Sequence, residues 1–103
     1  MSNVKINKFI RKWRAHPGAV DMFTNGKCYW FAHILREAFP GGIICYDPIV
    51  GHFYYKRNEY YWDIKGPHLI PAGQVHAWTD ICANDSAWAK RIKRDCILFE
   101  EVE

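Results

Sequence analysis

A cysteine, a histidine and an aspartate stand in the order Cys28, His52, Asp63. These residue types supply a thiol nucleophile, a base for its proton and a carboxylate that orients the base. Cys28 follows Asn25-Gly26-Lys27 and leads into Tyr29-Trp30-Phe31-Ala32. With Asn25 as the N-cap, Cys28 is N3, in the first turn of a helix. Unpaired backbone N–H groups and the positive end of the helix dipole favour a thiolate there. Lys27 adds a nearby positive charge. The same N–H groups can stabilise an oxyanion on an acyl carbon bonded to sulfur. The plainer reading is that Cys28 begins the apolar stripe of Phe31, Ala32 and Leu35, since free cysteine is a common core residue.

His52 follows Gly51, which permits a bulge or a close backbone approach. Taken alone, a strand histidine is more often a hydrogen-bonded structural residue than a base. Asp63 is the more informative residue. Aspartate is disfavoured in strands, yet this one sits between Trp62 and Ile64. A two-residue turn at Asn58-Glu59 sets Arg57 against Tyr60 and Tyr54 against Asp63. His52 and Asp63 then become diagonal neighbours on one face. A three-residue turn would put Asp63 on the face of Phe53 and separate the pair. The alternative for Asp63 is an edge-strand carboxylate facing water.

The elements that must position these residues follow from periodicity. Ile6, Phe9, Ile10 and Trp13 recur at i, i+3, i+4, i+7, one face of a helix over about residues 4–15. His16-Pro17-Gly18 ends it, and residues 17–26 read as a connection. The cysteine helix carries Cys28, Phe31, Ala32, Leu35, Ala38 and Phe39 on one face, and Pro40-Gly41-Gly42 stops it. Three strands follow, at 43–47, 52–56 and 60–64, with Gly66-Pro67 ending the last hairpin. Residues 67–80 read mostly as loop. Asn84 or Asp85 caps a last helix to about Asp95, and 96–99 reads as a closing strand. The order α, α, β, β, β, α, β predicts an α+β fold, N-terminal helices on a small antiparallel sheet.

The 103 residues fit one domain spanning 1–103, and half of them are hydrophobic. A 17% aromatic content excludes a disordered chain. No apolar run approaches the roughly 20 residues of a membrane span, and no signal-peptide core opens the chain. The expected compartment is cytoplasmic. Cys28, Cys45, Cys82 and Cys96 form no C-x-x-C pair and read as reduced. A net charge of +3 is weak evidence for a nucleic-acid partner, although two basic clusters and several Tyr and Trp residues keep that reading open. His68, His76 and Cys82 fit no standard metal-ligand pattern. Neither a metal nor a cofactor is expected.

Gly26-Lys27-Cys28-Tyr29-Trp30-Phe31 resembles the nucleophile segment of papain-like cysteine peptidases, where a glycine stands two before the cysteine and an aromatic follows it. The Cys, His, Asp order is also the papain-like order. His52 follows Cys28 by 24 positions and Asp63 follows His52 by 11. That compactness is similar to minimal papain-fold proteins of bacteria and phages, including the NlpC/P60 type. The resemblance covers about residues 25–66. It implies a papain-like core with Cys28 as nucleophile, His52 as base and Asp63 as orienting residue. It also implies a polar side chain upstream of the cysteine for the oxyanion; no glutamine precedes Cys28, and Asn25 or Thr24 would substitute. Trp30 and Tyr54 are the aromatic candidates for substrate contact.

Two functions are therefore expected from the sequence. One is a thiol-dependent hydrolase or acyltransferase acting on an amide, peptide or isopeptide bond. The other is a catalytically inactive domain that binds a protein partner, since Tyr, Trp and Arg are favoured at interfaces.

Overall fold

The computed structural model describes residues 2–24, 27–71 and 73–98. Helix α1, Ser2–Arg14, buries Ile6 and Ile10 completely and half-buries Phe9 and Trp13, as the periodicity requires. Arg11, Lys12 and Arg14 fall in its last turn, where cations complement the dipole. The stretch expected as a connection contains a second helix, α2, Ala19–Thr24. Its buried Ala19 and Phe23 are spaced i, i+4, but six residues are too few for a period to register.

Helix α3, Cys28–Ala38, has Lys27 at its N-cap. Cys28 is therefore N1 rather than N3; it still lies in the first turn. Asn25 and Gly26, the expected cap and the residue after it, lie outside the described residues. Cys28, Phe31, Ala32 and Leu35 are buried, whereas Ala38 is exposed. At the far end the Tyr55 hydroxyl donates to the Phe39 carbonyl and accepts from the Gly42 N–H at 3.0 Å. A Cβ on Gly42 would stand 2.3 Å from the Lys56 carbonyl oxygen, so only glycine fits where the chain passes from α3 to the sheet.

The sheet is antiparallel with order β4-β3-β2-β1-β5. Its strands are β1 Ile43–Asp47, β2 His52–Arg57, β3 Tyr60–Asp63, β4 Gly66–His68 and β5 His76–Ala77. Residues 67–80, expected as loop, supply most of β4, all of β5 and the start of α4, Trp78–Asn84. Strands this short leave no alternation to read. Asp85 caps helix α5, Ser86–Ile92, accepting the Trp88 N–H at 3.1 Å. The expected closing strand is absent: Lys93–Leu98 is π-helical, and Phe99 lies outside the described residues. A short apolar run such as Cys96-Ile97-Leu98 suits a strand or a buried helix equally well.

The two faces of the sheet differ. Ile44, Tyr46, Phe53, Tyr55 and Trp62 join one buried cluster with α1, α2, α3, α4, α5 and Ile97. The register places Cys45, Asp47, His52, Tyr54, Lys56, Tyr61, Asp63 and His68 on the other face. The α+β class expected from the sequence is thus present, with the sheet's second face open to function. No helix among the described residues is long and apolar enough to cross a membrane.

Candidate active site

His52 is the first residue of β2, and the turn before it is fastened. Buried Asp47, opposite His52 in the ladder, accepts the Ile49 N–H at 2.9 Å and the Gln74 amide at 2.7 Å. Gly51, at φ +64, donates its N–H to the Asp47 carbonyl at 2.8 Å. The positive φ is one that glycine adopts without strain. Through this turn the chain enters β2 with the imidazole on the open face.

Asp63 ends β3. Asn58 takes φ +61, and Arg57 pairs with Tyr60, the register that a two-residue turn requires. That register puts Asp63 on the face of His52. The Asp63 Oδ2 lies 3.0 Å from His52 Nε2. Its Oδ1 accepts the Lys65 N–H at 2.8 Å and lies 2.8 Å from His68 Nε2. The Arg14 guanidinium donates to the Lys65 carbonyl at 3.0 Å, tying α1 to the same turn.

Cys28 arrives from the helical layer. The β2–β3 ladder runs from Arg57↔Tyr60 to Tyr55↔Trp62, and beyond its end the Phe53 N–H donates to Cys28 Sγ at 3.5 Å. The imidazole of His52 and the Tyr29 N–H both favour the thiolate form of Cys28. With Nε2 turned to Asp63, Nδ1 is the ring nitrogen left to face the thiol. His52 and Asp63 are thus joined by a hydrogen bond, with Cys28 within electrostatic reach of the ring.

The electrostatics of the three groups are coupled. Burial pushes the Cys28 thiol up, but the His52 ring and its charge, together with the Phe53 N–H, bring it below its ordinary value. Burial pushes His52 down, and the Asp63 bond and the neighbouring Cys28 outweigh it, raising the imidazole to about 9. Burial likewise opposes the Asp63 charge. The His52 and His68 bonds and the Lys65 N–H nevertheless hold its carboxyl well below the usual carboxylate range. All three directions favour a thiolate–imidazolium pair backed by a carboxylate. Cys45, a buried thiol on the sheet face away from the helices, goes the opposite way: burial pushes it up to about 11.

An open groove of about 320 Å³ runs past the site, lined by Thr24, Val50, His52, Tyr54, Asp63, Lys65 and His68. Cys28 is only 6% exposed and is not part of the groove wall. Tyr54, expected to contact a substrate, lines the groove. Trp30 does not; its indole N–H donates to the Ile97 carbonyl at 3.1 Å, docking the π-helical segment. Asn25, the oxyanion candidate, lies outside the described residues. The Thr24 Oγ1 is buried beside the groove with no hydrogen-bond partner among the described residues.

His68 and Lys65 are the site residues that sequence reasoning did not connect to Asp63. Gly66-Pro67 reads as the end of a hairpin. Instead Gly66, at φ +113, opens β4 after a turn at Ile64-Lys65. That second turn pairs Tyr61 with His68 and so puts His68 on the Asp63 face. The metal alternative does not assemble. His68 and His76 sit on the two outer strands, and no three His, Cys, Asp or Glu side chains among the described residues could hold an ion.

A family model for the Phage YunG-like protein matches residues 6–98. The chain belongs to the Phage YunG-like family. No curated protein and no solved structure matches it. This membership overturns the resemblance to papain-like, NlpC/P60-type peptidases. The YunG-like match spans nearly the whole chain, whereas that resemblance rested on a glycine-x-cysteine-aromatic motif and on the order and compact spacing of Cys28, His52 and Asp63, within residues 25–66. Such a motif is short, and small and aromatic residues around the start of a buried helix have packing reasons of their own. The site must therefore be argued from its own geometry.

Proposed function

We propose that this YunG-like protein carries out thiol-dependent acyl chemistry on an amide, peptide or isopeptide bond. The observation that carries the reading is the His52–Asp63 hydrogen bond beside the buried Cys28 thiol, with each group shifted toward its charged form. In the proposed step the Cys28 thiolate adds to the carbonyl carbon. The C–N bond then breaks, and His52 gives its proton to the leaving amine. The resulting thioester is cleaved when His52 takes a proton from water, or from an acceptor amine, as that nucleophile adds; the thiolate then leaves. Asp63 keeps the Nε2 proton of His52 in place, so that Nδ1 handles the transferred one. The Cys28 N–H, in the first turn of α3, and the Thr24 hydroxyl are the donors on hand for the oxyanion.

A second reading is favoured by one observation, the burial of Cys28 behind the groove wall. In that reading the domain binds a protein partner without turnover, as an inhibitor or adaptor, and the polar groups are structural. Incubation with activated acyl esters and short amides, followed by intact mass measurement, separates the two. An acyl adduct that maps to Cys28, and that is missing in Cys28→Ser and His52→Ala proteins, supports the enzyme. A folded Cys28→Ala protein with undiminished biological activity would sink it and leave the binding module.

A further inference from the structure

His68 occupies a place that a three-residue account does not use. Resting on the thiol reading above, we propose that His68 is a positioning residue for His52: it holds Asp63 by the oxygen that His52 leaves free, and so keeps the carboxylate aimed at the ring that handles the thiol proton.

The geometry carries this directly. A carboxylate has two oxygens and about four acceptor positions. Asp63 Oδ2 faces His52 Nε2 at 3.0 Å, and Oδ1 faces His68 Nε2 and the Lys65 N–H, each at 2.8 Å. Rotating the carboxylate away from His52 would also break both Oδ1 bonds. His68 therefore locks the group that orients the base. It is itself held, paired opposite Tyr61 in the β3–β4 ladder and edge-on to the Tyr54 ring at 5.6 Å.

Access to solvent differs along the chain of groups. The His68 side chain is 35% exposed, against 14% for His52 and 9% for Asp63. His68 thus stands at the groove, between solvent and the two more deeply buried groups. With Oδ1 held by His68 and the Lys65 N–H, Oδ2 stays aimed at His52 Nε2. Without His68 the carboxylate is held at Oδ1 by the Lys65 N–H, and its grip on the His52 ring loosens.

The test uses the full chain with Cys45, Cys82 and Cys96 replaced by Ala, and compares His68→Phe, His68→Gln and Asp63→Asn. His52 ring resonances are followed against pH by NMR, iodoacetamide alkylation of Cys28 is timed at neutral pH, and thermal melts confirm folding. His68→Phe is expected to move the His52 titration to lower pH and to slow alkylation severalfold. His68→Gln, an amide that can still donate to Asp63, is expected to keep both near the parent. If a folded His68→Phe protein matches its parent in both measurements, the proposal is overturned. Should that variant fail to fold, a folded His68→Gln protein that loses both overturns it equally. Asp63→Asn separates the two levels. If it too leaves the His52 titration and Cys28 reactivity unchanged, the thiol reading itself has failed.

Discussion

Two aspartates lie buried on the same face of the sheet, and their partners divide them. Asp47, at the end of β1, is 1% exposed and is held by neutral groups, the Ile49 N–H and the Gln74 amide. Asp63, at the end of β3, is 7% exposed and faces two imidazoles besides the Lys65 N–H. Asp47 closes the turn that delivers His52, whereas Asp63 acts on the ring. Burial of a strand carboxylate therefore does not by itself mark a site. What distinguishes Asp63 is a directly bonded imidazole, through which the carboxylate's charge acts on a group that gains and loses protons near neutral pH.

The widest separation between the two is expected in Cys28 reactivity. Asp63→Asn should slow iodoacetamide alkylation of Cys28 at pH 6 by about tenfold or more, as the thiol returns toward the roughly 8.5 of a free cysteine. A folded Asp47→Asn protein should differ from the parent by less than about twofold, because its carboxylate does not touch the ring. Equal losses would erase the distinction.

Stability against pH comes next. His52 is raised to about 9, so its contribution is complete below the ordinary 6.5 and is lost as pH climbs from there through about 9. Asp63 is depressed, so its contribution is complete above the ordinary carboxylate value and is lost only in stronger acid. Urea melts across pH should show the stability gap between wild type and His52→Ala shrinking between pH 6.5 and 9. The gap to Asp63→Asn should close at the acid end. For Asp47 a loss of about 2 kcal/mol is expected on change to Ala, since two hydrogen bonds go from a side chain that is fully buried. Gln74→Ala should cost least, about 1 kcal/mol, with the Cys28 alkylation profile unchanged.

The site was legible to different depths in the sequence, and the reason is physical. Cys28, His52 and Asp63 stood out because each breaks or exploits a local rule: a thiol at a helix start, a histidine after a glycine, a carboxylate in an aromatic strand. The Asn58-Glu59 turn then set the register, and a register determines faces. Asp47 broke the same strand rule without drawing notice, so that rule alone is unspecific. His68 was hidden because its place depends on a second tight turn, where Gly66-Pro67 looks like a terminator. The α2 helix, β5 and α4 are too short for periodicity to show. The π-helical end is held by tertiary contacts, including the Trp30 bond to Ile97, which no local pattern encodes. The family resemblance misled for a related reason: a motif of a few residues reports local chemistry and not ancestry.

The most direct measurement is the pH dependence of Cys28 alkylation in a chain whose other three cysteines are replaced, with and without His52. The expected result is a thiolate titrating well below the roughly 8.5 of a free cysteine, with that depression lost in His52→Ala. A thiol that is unreactive, or that titrates at the ordinary value whether or not His52 is present, would contradict an activated Cys28–His52 pair and leave Cys28 as a core residue.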